Sequence, residues 1–192
     1  MSAAQVPVPR GVTTMTDRTR EKVQLGFLRI VATDAGFVGG ILVTNRLGRP
    51  LEFQCTTPVK ANRTQEILYG RTLEPFLFSE LIGSTLVDRL QVKPDLILVN
   101  QPALLGLREH ISTPIVCLAD EPAATRDRPD EARIKIGGRD GGQVLRVHPE
   151  YTEDIHTIQE LTAAIPGDAD LREPLDRVRD ALDETLRPGA AA

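Results

Sequence analysis

Apolar residues are sparse and without period as far as Lys22, and they become dense and patterned from Val23 onward. The word GFLRIVAT sets Phe27, Leu28, Ile30 and Val31 in a near-continuous apolar run of strand length, which predicts a central strand buried on both faces. Residues 34–36 turn the chain into FVGGILVTN, whose Gly39-Gly40 pair predicts a bulge or a close backbone approach. A short loop at Asn45, Arg46, Leu47 and Gly48 leads into RPLEFQCTTPV, where Leu51, Phe53 and Cys55 alternate with Glu52, Gln54 and Thr56. The expected product is a three-stranded antiparallel meander.

The period then changes. Thr64 is a candidate N-cap for a short helical turn through Ile67 and Leu68 that stops at Gly70. From Thr72, with Pro75 in the first turn, Phe78, Leu81, Ile82, Leu86 and Leu90 fall on one helical face, and Gly83 weakens that helix without ending it. Lys93-Pro94 precedes a strand, DLILVN, and Pro102 opens a short helix through Leu104, Leu105, Leu107 and Arg108. TPIVCLA predicts another buried strand. Two strands joined by such a crossover are expected to lie parallel with a right-handed connection.

Residues 121–132 are charged and proline-bearing, which predicts an exposed linker. Beyond them RIKI and QVLRV flank GGRDGG as a hairpin. Two amphipathic helices follow, one on Ile155, Ile158, Leu161 and Ile165, the other on Leu171, Leu175, Val178 and Leu182. The fold class is therefore α/β, with a mixed five-stranded sheet of three meander strands plus two parallel ones. Its expected organisation is a tail over 1–22, an α/β core over 23–120, the linker, an extension over 133–187 and a frayed end over 188–192. The extension either continues the sheet or packs as a small subdomain.

Composition narrows the function classes. No apolar run approaches the roughly 18 residues of a membrane span, and the N-terminal segment has no apolar stretch behind a basic start, so a soluble cytoplasmic protein is expected. Cys55 and Cys117 lie far apart with no paired-cysteine motif, so two buried free thiols are expected rather than a disulfide or zinc site. Aromatic residues are only 4%, Trp is absent and the net charge is −4, which disfavours a dedicated nucleic-acid binder.

The order strand, strand, strand, helix, strand, helix, strand resembles the RNase H-like fold over about residues 25–120. VATDAGFVGGILVTN resembles the first hairpin of that superfamily, and KPDLILVN with TPIVCLAD is similar to the corresponding segment of endonuclease V-type members. The resemblance implies two divalent ions, Mg²⁺ or Mn²⁺, held by carboxylates from separate elements and acting on phosphodiesters. Asp34 matches the acid of the first strand. Glu74, or less well Glu66, matches that of the helix, and Asp120 with Glu121 follows the fifth strand. The fourth-strand position is Asn100, whose amide can coordinate a cation but brings no negative charge.

Each candidate also has a structural reading. Asp34 suits a turn, Glu74 suits a helix start, and Asn100 suits an N-cap for the helix after it. GGRDGG lacks the spacing and lysine of a phosphate loop and fits a hairpin turn. His110, His148 and His156 are dispersed, although the last two could meet Glu150, Glu153 or Asp154 at a metal. No nucleophile elbow occurs, and Ser79 and Ser84 fall within a predicted helix. Tyr69, Gly70, Arg71 and Glu74 crowd polar and aromatic groups into a break between helical pieces, the kind of place where α/β folds bind ligands.

The expectation ranked first is a non-catalytic binding or interaction module that takes a protein partner or small ligand through Tyr69, Arg71 and Asn100. It rests on the missing fourth-strand acid, the acidic balance and the few aromatic residues. A metal-dependent nuclease with Asp34, Glu74 and Asp120 as ligands stands second. A homo-oligomeric structural component, joined through the C-terminal helices, stands third.

Overall fold

β1 (Gln24–Thr33) and β2 (Gly36–Asn45) pair antiparallel through Asp34 and Ala35, and β3 (Pro50–Cys55) joins β2 antiparallel. The turn before β3 closes on Asn45, whose Oδ1 accepts from Leu47 N and Arg49 N, while Gly48 supplies the positive φ of 78°. β4 (Leu96–Val99) lies parallel to β1, and β5 (Ile115–Leu118) lies parallel to β4, both buried at every position. The computed structural model describes residues 22–118, 133–136 and 143–187. The expectations for residues 1–21 and 188–192, for the linker at 121–132, for the GGRDGG loop and for Asp120 and Glu121 fall outside these residues.

The sheet has seven strands, in the order β3-β2-β1-β4-β5-β7-β6, rather than the five expected. β6 (Arg133–Ile136) and β7 (Gln143–Val147) form an antiparallel pair, and β7 docks antiparallel on β5 through Val116↔Val147 and Leu118↔Leu145. The reason lies in β5: a strand buried on both faces cannot leave a row of backbone donors and acceptors unpaired at its edge.

Between β3 and β4 the chain builds one broken helical rod. α1 (Arg63–Tyr69) begins at Asn62, whose side chain accepts from Gln65 N while Gln65 reaches back to Asn62 N, so the N-cap is Asn62 and not Thr64. Gly70, at φ 51°, ends it. A 3₁₀ turn (Gly70–Thr72), α2 (Leu73–Pro75), a π-helical stretch (Phe76–Gly83) and α3 (Ser84–Arg89) replace the single regular helix expected. Gly83 makes room for it: a Cβ there would stand 2.8 Å from Phe78 O and 2.9 Å from Leu107 Cδ2. The rod widens where a neighbouring element presses against it. That neighbour is a 3₁₀ helix, Pro102–Glu109.

The rod and this 3₁₀ helix cover one face of the sheet, over Leu28, Ile30, Ile41, Ile97, Val99 and Cys117. α4 (Asp154–Thr162) and α5 (Glu173–Thr185) cover the other, over Leu25, Phe27, Leu98, Val116 and Leu145. Both helices bury the faces expected of them. Gly39 and Gly40 show why the pair is needed: a Cβ at Gly39 would collide with Ile82 of the rod, and one at Gly40 would stand 3.0 to 3.1 Å from Leu182 and Val178 of α5. Both helical layers approach β2 at adjacent positions, from opposite sides. Cys55 is half-buried and Cys117 buried, and both are free thiols. Among the described residues no helix is long and apolar enough to cross a membrane.

Candidate functional site

The strand order reverses between β1 and β4: from β1 the chain runs outward to β2 and β3, from β4 to β5 in the other direction. Open α/β sheets bind ligands in the crevice that such a reversal leaves at the carboxyl ends of the strands. Leu28↔Val99 is the last pair of the β1–β4 ladder. The next residues are Arg29 and Asn100; alternation along β1 turns Arg29 toward the face covered by α5, and Asn100 follows Val99 at a bend. β1 continues past the end of β4, and Gln101 Oε1 accepts from Ile30 N at 2.9 Å, so the backbone donor exposed there is satisfied.

α5 brings a carboxylate to this point. Gly40 is the β2 partner of Arg29, and without a Cβ it lets Val178 and Leu182 lie close over the strand. Asp176 Oδ1 then receives Arg29 Nη1 at 3.1 Å and Arg179 Nη1 at 3.2 Å, while Arg179 also reaches Asp180. Arg29 is 21% exposed at its side chain and Asp176 50%, so the cluster opens to solvent. Asn100 Oδ1 is buried and has no hydrogen-bond partner among the described residues. The N-cap expected of Asn100 is not made, because the 3₁₀ helix starts one residue later and has no side-chain cap.

The expected site residues do not meet here. Asp34 sits in the exposed β1–β2 turn, five positions beyond Arg29, which at about 3.3 Å per strand residue is about 17 Å away. The side-chain bonding of that turn comes from Thr33, whose Oγ1 donates to Gly36 O and accepts from Ala35 N. Glu74 is exposed on α2 and makes no cap there. Glu66 pairs with Arg63 on the exposed face of α1. Tyr69 is 36% exposed and stacks on Phe76 at 4.5 Å, with Arg71 exposed beside it. This ledge belongs to the rod on the opposite face of the sheet. It is tied to the segment after Asn100 through Ser79, whose Oγ donates to Ala103 O at 2.9 Å.

Arg29 and Asp176 carried no sequence signal as a site. Arg29 is one charge in an apolar strand word, and Asp176 is 147 residues further on. A second polar cluster was equally hidden. Arg108 donates to both oxygens of Asp154 at 2.6 and 3.1 Å, lies 4.3 Å from the centre of the Tyr151 ring, and donates to Ile111 O. The hydrogen bond to Asp154 raises the Arg108 pKa against the opposing effect of burial. His148 lies alongside, 3.4 Å from Glu109 and edge-on to Tyr151. His148 follows β7 next to the start of β5, so this clasp is at the end of the sheet away from the Arg29 crevice. His110 and His156 are exposed and distant from it in role, and no group of three or more metal-binding side chains forms among the described residues.

The fold resemblance implies a divalent metal pair, and the crevice residues do not fit one. Among the described residues the carboxylates of this cluster are Asp176 and Asp180, and arginines already hold both: Arg29 and Arg179 on Asp176, Arg179 on Asp180. A divalent ion about 5 Å from Arg29 would meet a repulsion of roughly 7 kcal/mol at an effective dielectric near 20. A single amide oxygen and two carboxylates already paired with arginine do not offset that, since cation affinity follows ligand charge.

No protein-family model matches the sequence, and no curated protein matches it. Solved structures do match the fold. Endonuclease V from Streptomyces avermitilis superposes with a TM-score of 0.52 at 13% identity, over 87% of this chain and 84% of its own. Endonuclease V from Bacillus subtilis gives 0.50 at 13%, over 92% and 84%. A protein of unknown function from Archaeoglobus fulgidus DSM 4304 gives 0.50 at 10%, over 87% and 100%. The RNase H-like resemblance is thereby confirmed as one of fold, and it extends past residue 120. The ranking of functions is corrected: a non-catalytic binding module finds no support among these neighbours, of which the two with a stated activity are endonucleases.

Proposed function

We propose, from an RNase H-like fold shared with endonuclease V, that this protein acts on nucleic acid as a phosphodiester hydrolase, at the crevice between β1 and β4. The observation that carries the reading is the position of Arg29: a partly exposed guanidinium at the strand-order reversal, next to Asn100 and anchored by Asp176. A guanidinium fork matches two phosphate oxygens and stabilises the charge that builds on them as water adds across the P–O bond. The net charge of −4 does not oppose this, because a phosphate responds to the groups within a Debye length, about 8 Å in physiological salt, more than to the chain total.

We assign binding roles to Asn100 at the crevice and to Tyr69 and Arg71 on the ledge across the sheet edge, where a half-exposed ring can stack on a base and a cation can meet the backbone. Incubation of the protein with end-labelled single- and double-stranded DNA and RNA, with Mg²⁺, with Mn²⁺ and with EDTA, tests it. The expected result is cleavage of at least one substrate, lowered at least about tenfold by Arg29→Ala, the loss of one charge-stabilising donor. Absence of cleavage of all four substrates under every condition refutes it.

A further inference from the structure

We propose that Arg29 takes the place of a divalent cation in this fold, so that the β1–β4 crevice receives a phosphate directly on a fixed guanidinium and does not take up Mg²⁺ or Mn²⁺. The inference rests on the nucleic-acid reading for its ligand, but not for its statement about metal. Three observations carry it. Arg29 and Asn100 are the residues that follow the last pair of the β1–β4 ladder, Leu28↔Val99, at the point where the sheet reverses order. The carboxylates that α5 brings to the cluster among the described residues are already paired, Asp176 with Arg29 and Arg179 and Asp180 with Arg179, which opposes their use by a metal. Asn100 Oδ1 is a buried acceptor without a donor among the described residues, which an incoming hydroxyl or amine can satisfy and which alone cannot hold a hydrated dication.

The ion pair is a latch as well as a charge. Asp176 is half exposed and shares itself between two arginines, so a phosphate that binds Arg29 displaces one of two contacts while Arg179 keeps the carboxylate anchored. A guanidinium presents a rigid fork, and a lysine at the same place would present a point charge. Arg29→Lys is therefore expected to retain only part of the binding.

Two measurements on the full chain test the inference, with folding of each variant checked by circular dichroism. Titration with Mn²⁺, followed by electron paramagnetic resonance, is expected to show no site in the wild type at concentrations up to about 1 mM, the range of weak cation sites. Arg29→Asp, which removes the cation and adds a carboxylate beside Asp176, is expected to create one site, and Arg29→Asp with Asp176→Asn to remove it. Binding of a short fluorescein-labelled single-stranded DNA is expected to be equal in EDTA and in Mg²⁺, and to weaken at least about tenfold in Arg29→Gln, the loss of a charge-assisted contact. A stoichiometric Mn²⁺ site in the wild type that Asp176→Asn abolishes overturns the inference, as does DNA binding that requires Mg²⁺ and ignores Arg29→Gln. Metal-free, Arg29-dependent binding without any cleavage sustains it while the hydrolase reading fails. Cleavage that depends on Arg29, together with a stoichiometric Mn²⁺ site in the wild type, does the reverse.

Discussion

Gly39 and Gly40 are adjacent, yet each answers to a different layer. A methyl at Gly39 runs into Ile82 and approaches Leu86 to 3.0 Å, both side chains of a packed helical rod. Gly39→Ala is therefore expected to cost about 1 to 3 kcal/mol, the usual range for overpacking, measured by chemical denaturation. A fall of less than a few tenths would mean the rod can move aside. At the other end of the sheet, Arg108 and Asp154 have side chains only 15% and 10% exposed. Arg108→Ala leaves a buried carboxylate without its donor and is expected to destabilise by about 3 kcal/mol, whereas Arg108→Met with Asp154→Leu is expected to recover most of it. If the double variant is as unstable as the single one, the clasp holds the fold by more than its charges. Little of this was legible from sequence: the glycine pair announced a close approach without saying from which side, and Arg108 and Asp154 lie 46 residues apart with nothing local to join them.

Among the elements, β3 is an edge strand with Leu51 45% exposed and Phe53 36% exposed, and its Glu52 ties it to the loop that follows the rod. Glu52 accepts from Val92 N at 2.7 Å, from Gln54 Nε2 at 2.9 Å and from Gln91 N at 3.0 Å. The Val92 donor above all, with Gln54, Gln91 and the nearby Lys93, holds the Glu52 pKa below its ordinary value. A carboxylate whose pKa is lower folded than unfolded adds stability above the unfolded value and loses it as pH falls through the folded one. Glu52→Gln should therefore lower stability at neutral pH by about 1 kcal/mol, at the low end for charged hydrogen bonds because the group lies near solvent. The gap to wild type should close on acidification below 4.5. Denaturation midpoints across that range check it, and a gap independent of pH would assign the effect to shape rather than charge. The strands and the C-terminal helices were readable because period 2 and period 3.6 are local properties. The π-helical stretch was not, since Leu107, which presses on Gly83, comes from a later element.

At the scale of the molecule, α4, α5 and β7 complete the core on one face and close the edge of β5. A chain cut after Leu118 would expose Leu25, Phe27, Leu98 and Val116 at once, each worth about 1.5 to 3 kcal/mol of burial, and is expected not to fold cooperatively. A sharp thermal transition in that fragment would show the first five strands to be self-sufficient. The sequence by itself determined the three-strand meander, the parallel pair, the two amphipathic C-terminal helices and the resemblance to an RNase H-like order, because each follows from hydrophobic period and turn chemistry within a short window. It also showed that Asn100 brings no charge where the resemblance asks for an acid. Only the tertiary structure decided that the last hairpin extends the sheet, that Asp34 stands in a turn well beyond the end of the β1–β4 ladder, and that Arg29 meets Asp176 beside that end. The physical reason is common to all three: which residues meet at a strand-order reversal is set by register between segments distant in sequence, and register is fixed by burying both faces of the sheet together, not by any one segment alone.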